Sequence, residues 1–183
     1  ENSSTTLAPA NQGKRRHRLL ALTGLILVIG GINYIYNVLK VSGEPVEHLE
    51  VIAHRGMVSQ GVENSLEALE GAANAGADYA EMDIILSKDQ QFIVSHDNNL
   101  KRLTGKDIMI SQSNAKDVVS LKTSQNGHQS QIVSFKDYVA KAKQLGIKLL
   151  VELKPTGNEP ANYEQLFVDK MKELGVEKSY MIM

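Results

Sequence analysis

The chain has 183 residues, 42% of them hydrophobic and 22% charged, with 20 Lys and Arg against 21 Asp and Glu. A formal charge of −1, aromatics at 5% and no Trp exclude both bulk attraction to nucleic acid and a base-stacking surface. Cysteine is absent, which removes structural disulfides, Cys-ligated zinc and a thiol nucleophile.

Residues 1–18 read as a polar tail followed by a basic flank, Lys14, Arg15, Arg16 and Arg18. The sequence opens on Glu1 rather than Met, so it is expected to begin inside a longer chain. Leu19–Leu39 carries no charge and is apolar on nearly all sides, with Asn33 and Asn37 confined to one stripe near its end. Its length matches the ~20 residues that cross a bilayer core. The basic residues on its N-terminal side predict a cytoplasmic N-terminus and an extracytoplasmic remainder, with the lipid bilayer as a partner. A cleaved signal peptide is the rival reading, but the run is long for one and Gly31-Ile32-Asn33 makes a poor cleavage site. Residues 40–48 read as a linker.

From residue 49 to 183 the pattern alternates. Leu49–Ala53 is a short apolar strand ending at His54. Asn64, with Glu67 three residues on, predicts a helix cap, and Gly76 a stop. Tyr79–Leu86 and Phe92–Ser95 read as strands joined by a turn. Asn98–Gln131, rich in Ser, Asn, Gln and Lys, reads as a loop region. Ser134 then caps a helix that ends at Gly146, Lys148–Lys154 is a strand, Asn162–Leu174 a helix, and Ser179–Met183 the start of another strand. Such alternation indicates a parallel sheet flanked by helices, in an open doubly wound sheet or a TIM-type (β/α)8 barrel. A barrel typically takes about 250 residues, so residues 49–183 are expected to supply its N-terminal half, incomplete at the C-terminus.

In this fold class the strand ends carry the chemistry. They read His54-Arg55-Gly56, Glu81-Met82-Asp83, His96-Asp97 and Glu152-Leu153-Lys154. Residues two apart on a strand share a face, so Glu81 and Asp83 project together, as do Glu152 and Lys154. Each acid alone is more readily a structural residue. Together at successive strand ends they predict an all-oxygen site for one divalent cation, Mg²⁺ or Ca²⁺. His54 and His96 beside it suit a proton-transfer pair, and Arg55 and Lys154 suit an anionic substrate. Phosphate loops, Ser-based acyl transfer and His-Glu-x-x-His zinc sites have no matching stretch.

These residues resemble the glycerophosphodiester phosphodiesterase family. His54-Arg55-Gly56, Glu63-Asn64-Ser65, Glu81-x-Asp83, His96-Asp97 with Arg102-x-Thr104-Gly105, and Glu152-Leu153-Lys154 occur in that family's order. The basic flank and span before the domain are similar to its membrane-anchored bacterial members. The resemblance implies a TIM barrel, a metal held by Glu81, Asp83 and Glu152, and His54 and His96 as acid and base. It also implies phosphate contacts from Arg55 and Lys154, with Glu63 and Asn64 as supporting residues. The implied substrate is a small glycerophosphodiester, or polyglycerophosphate, cleaved to glycerol 3-phosphate and an alcohol. Val62, Leu103 and Gln90 depart from residues frequent in the family (proline, threonine and glycine), which bears on loop shape. A phosphatidylinositol phospholipase C-like lyase and a non-catalytic membrane-anchored barrel module are the competing readings.

Overall fold

The computed structural model describes residues 10–41 and 49–183, with side chains in the first stretch from residue 16 to residue 40. The start of the polar tail and most of the expected linker lie outside the described residues. The chain divides into two units, Glu1–Leu49 and Glu50–Met183.

Among its described residues the first unit contains one helix, α1 (Ala10–Val41). It starts well before the apolar run. Arg16–Lys40 is long and apolar enough to cross a membrane and none of it is buried, a test that a signal sequence also passes. Thr23 Oγ1 donates to the Leu19 carbonyl at 3.0 Å and Asn37 Nδ2 to the Asn33 carbonyl at 2.8 Å. Both polar side chains thereby donate back to the carbonyl four residues earlier in the same helix.

In the second unit, β1 (Ile52–Ala53), β2 (Tyr79–Leu86), β7 (Lys148–Leu153) and β8 (Met181–Ile182) run parallel, β2 lying between β1 and β7. The outward face of β2 (Ala80, Met82, Ile84, Leu86) packs with Leu149 and Val151 of β7 against three helices. These are α2 (Leu66–Asn74), α5 (Phe135–Leu145) and α6 (Tyr163–Glu173). Phe92 sits at the centre of that layer, 6.4 Å edge-on from Phe135 and 5.8 Å edge-on from Phe167. The arrangement is TIM-barrel-like and unclosed. Among the described residues β1 and β8 each pair with one strand only, and Ile52 and Ile182 on them are exposed.

Three expectations need correction. The sheet is not wholly parallel: β3 (Phe92–Val94) turns back on the distal half of β2, with Ile84 opposite Val94, and β6 (Val133–Ser134) pairs antiparallel with β3. The turn between β2 and β3 is short and puts Gln90 at φ +58°, a conformation glycine adopts without strain.

The second correction concerns the cap of α2. Ser65 provides it, its hydroxyl accepting from the Ala68 N–H, because the Asn64 side chain is engaged elsewhere. The third concerns 98–131, which is structured rather than a loop. It holds α3 (Lys101–Thr104), a 3-10 turn at Ile110–Gln112, α4 (Ala115–Val118) and a hairpin of β4 (Lys122–Gln125) and β5 (His128–Gln131). Leu100, Ile110, Val118 and Ile132 form a small core of their own with Ile85 and Ile93.

Candidate active site

Parallel pairing of β2 with β7 sets Asp83 directly opposite Glu152, and the two-residue repeat of β2 puts Glu81 on the same face. Ligand oxygens of Glu81, Asp83 and Glu152 all lie within 4.8 Å of one another. Glu81 and Asp83 are buried, at 3% and 0% exposure. Each has one satisfied oxygen: Glu81 Oε2 accepts from the Arg55 N–H at 2.8 Å, and Asp83 Oδ2 from Asn64 Nδ2 at 2.9 Å. The other oxygen of each, Glu81 Oε1 and Asp83 Oδ1, is buried without a hydrogen-bond partner. Burial pushes both carboxyl groups above the ordinary range, and mutual repulsion adds to this at Glu81. Glu152 moves the other way, held down by the hydrogen bond from Lys154 Nζ at 2.9 Å.

The donor set fits a divalent cation. Five carboxylates (Glu63, Glu81, Asp83, Asp97, Glu152) face three permanent cations (Arg55, Arg102, Lys154) through contacts within the site. The excess of two negative charges matches one Mg²⁺ or Ca²⁺, and the two orphaned oxygens offer hard-cation ligands.

His54 follows β1 and places Nε2 3.8 Å from Glu81 Oε2, with its side chain 71% exposed. His96 follows β3, which is anchored by the Ser95 N–H bonding the Asp83 carbonyl at 3.0 Å. Its Nδ1 lies 2.7 Å from Asp97 Oδ1. An ionised carboxylate only accepts, so the proton sits on Nδ1 and Nε2 is the nitrogen free for proton transfer. Arg55 Nε approaches Asp83 Oδ2 at 3.5 Å, and Lys154 Nζ lies 3.9 Å from Asp83 Oδ1. The structure therefore brings all seven expected site residues to one end of the sheet.

Asn64 and Glu63 hold this group from behind. Asn64 takes φ +58°, donates to the Asp83 carboxylate and accepts from the Asp83 N–H at 3.2 Å. Gly56, at φ +77°, lies so close to α2 that a Cβ would fall 2.7 Å from the Ala68 carbonyl carbon, so only glycine permits the turn after His54-Arg55.

The sequence reading missed Arg102 and Gln125 as participants. Arg102 bonds Glu63 through both terminal nitrogens, at 2.9 and 2.5 Å, and Asp97 through Nε at 2.6 Å. Gln125 reaches Glu63 from the hairpin. The Arg102-x-Thr104-Gly105 stretch was the available signal for the first; the second had none.

Burial pushes Glu63 and Asp97 up, but hydrogen bonds outweigh it, from Arg102 and Gln125 at Glu63 and from His96 and Arg102 at Asp97. Both end below the ordinary carboxylate range. The stability contributed by a depressed carboxyl is complete above its unfolded pKa and is lost as pH falls through its folded one. Wild type is therefore expected to hold its full melting-temperature advantage over Glu63→Gln above the ordinary glutamate value of 4.5 and to lose it progressively as pH falls below that value. Thermal melts of the two proteins between pH 3 and pH 7 check this.

The fold and the strand-end polar cluster define an α/β barrel protein of the kind that carries its site at the C-terminal ends of its strands. Residues 54–179 match the profile of the Glycerophosphoryl diester phosphodiesterase family, and the chain belongs to that family. Human lysophospholipase D GDPD1 is 45% identical over 60 residues, 33% of this chain and 19% of that protein. The uncharacterized protein YqiK of Bacillus subtilis is 29% identical over 133 residues, 70% of this chain and 54% of its own. A glycerophosphodiester phosphodiesterase structure from Thermotoga maritima aligns with a TM-score of 0.59 at 29% identity, covering 74% of this chain and 54% of that one. An Oleispira antarctica phosphodiesterase, in complex with the product sn-glycerol-3-phosphate, aligns at 0.58 and 26% identity, covering 72% and 53%. The chain thus spans about half the length of these structures and of YqiK, and less of the human relative.

Proposed function

We propose that the protein hydrolyses glycerophosphodiesters to glycerol 3-phosphate and an alcohol. The observation that carries this reading is the convergence of Glu81, Asp83 and Glu152 beside two histidines and two cations. Glu81, Asp83 and Glu152 would hold one Mg²⁺ or Ca²⁺. When bound, such a cation polarises a phosphoryl oxygen and stabilises charge that builds there. Arg55 and Lys154 orient the phosphodiester, the guanidinium offering paired donors and the ammonium a point charge.

His96 takes the proton of the attacking oxygen at Nε2, its ring fixed by Asp97. His54 donates a proton to the departing alcohol. The attacking group is the neighbouring glycerol hydroxyl, and water then opens the cyclic phosphate. Glu63 and Asn64 hold Arg55 and Asp83 in place.

Residues 19–39 would anchor the enzyme in the cell membrane, with the N-terminus cytoplasmic and the catalytic domain of residues 49–183 outside, facing free glycerophosphodiesters or polyglycerophosphate. The cationic residues ahead of the span support that orientation. The complete protein incubated with glycerophosphocholine and Mg²⁺ or Ca²⁺ should release glycerol 3-phosphate and choline, and chelation should stop it. Release of phosphocholine instead, or turnover unaffected by chelation, would overturn the reading.

A further inference from the structure

We infer that Gln125, on the hairpin outside the barrel sheet, is a positioning residue that sets the orientation of the His96 imidazole; the inference rests on the proposed function. The Gln125 amide grips residue 63 twice. Its Nε2 donates to Glu63 Oε2 at 2.6 Å, and its Oε1 accepts from the Glu63 N–H at 2.8 Å. Glu63 is buried, and its two oxygens are saturated: Oε1 accepts from Arg55 Nη1 and Arg102 Nη2, Oε2 from Arg102 Nη1 and Gln125 Nε2.

A carboxylate filled in this way has one orientation. Because both terminal nitrogens of Arg102 bond to it, the guanidinium plane is fixed as well. That plane aims Arg102 Nε at Asp97 Oδ2, and the other oxygen of Asp97 holds His96 Nδ1. Four contacts, each 2.9 Å or shorter, therefore run from the hairpin to the imidazole.

The physical reason such a chain matters is leverage. Loss of the Gln125 amide leaves a buried carboxylate lone pair and a backbone N–H without partners, so the 63–64 turn and the guanidinium relax together. Displacing a reacting group by about 1 Å costs up to ~100-fold in rate without weakening binding in proportion. The alternation of β4 buries Thr123 and half-buries Gln125 while Lys122 and Ser124 are exposed, so the hairpin register selects which side chain meets Glu63.

Gln125→Leu in the complete protein should lower kcat for glycerophosphocholine by roughly 10-fold with KM within about 2-fold. It should also broaden the low-field Nδ1 proton signal of His96. Combined with Arg102→Lys it should add nothing to the loss caused by Arg102→Lys alone, because both changes cut the same chain. Gln129→Leu, on the paired strand of the hairpin, should leave kcat and the His96 signal unchanged. Should Gln125→Leu fail to fold, Gln125→Asn, which keeps an amide one methylene short, carries the same comparison.

An unchanged kcat and His96 signal in the Gln125 variant overturns the inference. So does an effect on KM alone, an equal loss in Gln129→Leu, or additivity with Arg102→Lys. A wild-type protein that releases no glycerol 3-phosphate overturns the proposed reaction instead, and the His96 signal of the variants still decides the positioning.

Discussion

Glu81→Gln is expected to cripple turnover while making the cation-free protein more stable than its parent. Glu81 Oε2 accepts the Arg55 N–H, a role that an amide oxygen keeps. Its Oε1 is buried without a partner, 3% of the residue is exposed, and Asp83 lies on the same face of the strand. Burial and the neighbouring charge both disfavour the ionised form, which is why the carboxyl titrates high. Neutralising it removes that cost, on the order of 1 kcal/mol for a buried and poorly compensated charge. For a domain of this size that raises the melting temperature by roughly 2–4 °C.

Adding Mg²⁺ or Ca²⁺ should reverse the ranking. At about 100 times its dissociation constant, a ligand stabilises the protein that binds it by about 2.7 kcal/mol. The parent gains this and the variant, short of one ligand, gains much less. Turnover of glycerophosphocholine should fall by about 10³-fold, the scale for losing a principal electrostatic contact in the transition state. Melts with and without the cation, read beside calorimetric titration, check the crossing. Equal cation shifts in both proteins would show that Glu81 is not a ligand.

Those acids were legible in the sequence because two-residue spacing on a strand leaves little freedom: Glu81 and Asp83 must share a face, as must Glu152 and Lys154. What the spacing could not supply was the register of β2 on β7, and it is that register which sets Asp83 against Glu152. The helix boundaries at Ser134 and Gly146 follow from local chemistry, a hydroxyl cap and a left-handed stop, and both occur where the sequence placed them. Asn64 misled for the same reason in reverse. Its type suits a helix cap, but a carboxylate far along the chain competes for its amide.

The insertion was misjudged because its apolar residues lack periodicity, so Leu100, Ile110 and Val118 give no helix or strand signal although they meet in space. One cue there was overlooked. Asn126-Gly127, both at positive φ, is a strong two-residue hairpin turn, and recognising it would have placed β4 and β5. Gln125 then sits beside the turn, but nothing in the sequence says that its partner is Glu63.

Replacing either histidine by alanine should cost ~10²- to 10⁴-fold in kcat, the usual worth of a positioned acid or base, and the two losses should respond differently to the leaving group. His96 has a carboxylate against Nδ1, which fixes the ring and leaves Nε2 as its acceptor nitrogen. His54 is mostly exposed, and its contact with Glu81 is 3.8 Å long. The first geometry suits proton removal from the attacking hydroxyl, and the second suits delivery of a proton to an alcohol leaving toward solvent. An ester of p-nitrophenol needs no proton to depart, so glycerophospho-p-nitrophenol should recover most of the rate lost in His54→Ala and little of that lost in His96→Ala. Cation binding should survive in both, because neither imidazole belongs to the carboxylate group. Recovery in His96→Ala instead would exchange the two roles, and recovery in neither would mean that proton delivery to the alcohol falls to another group.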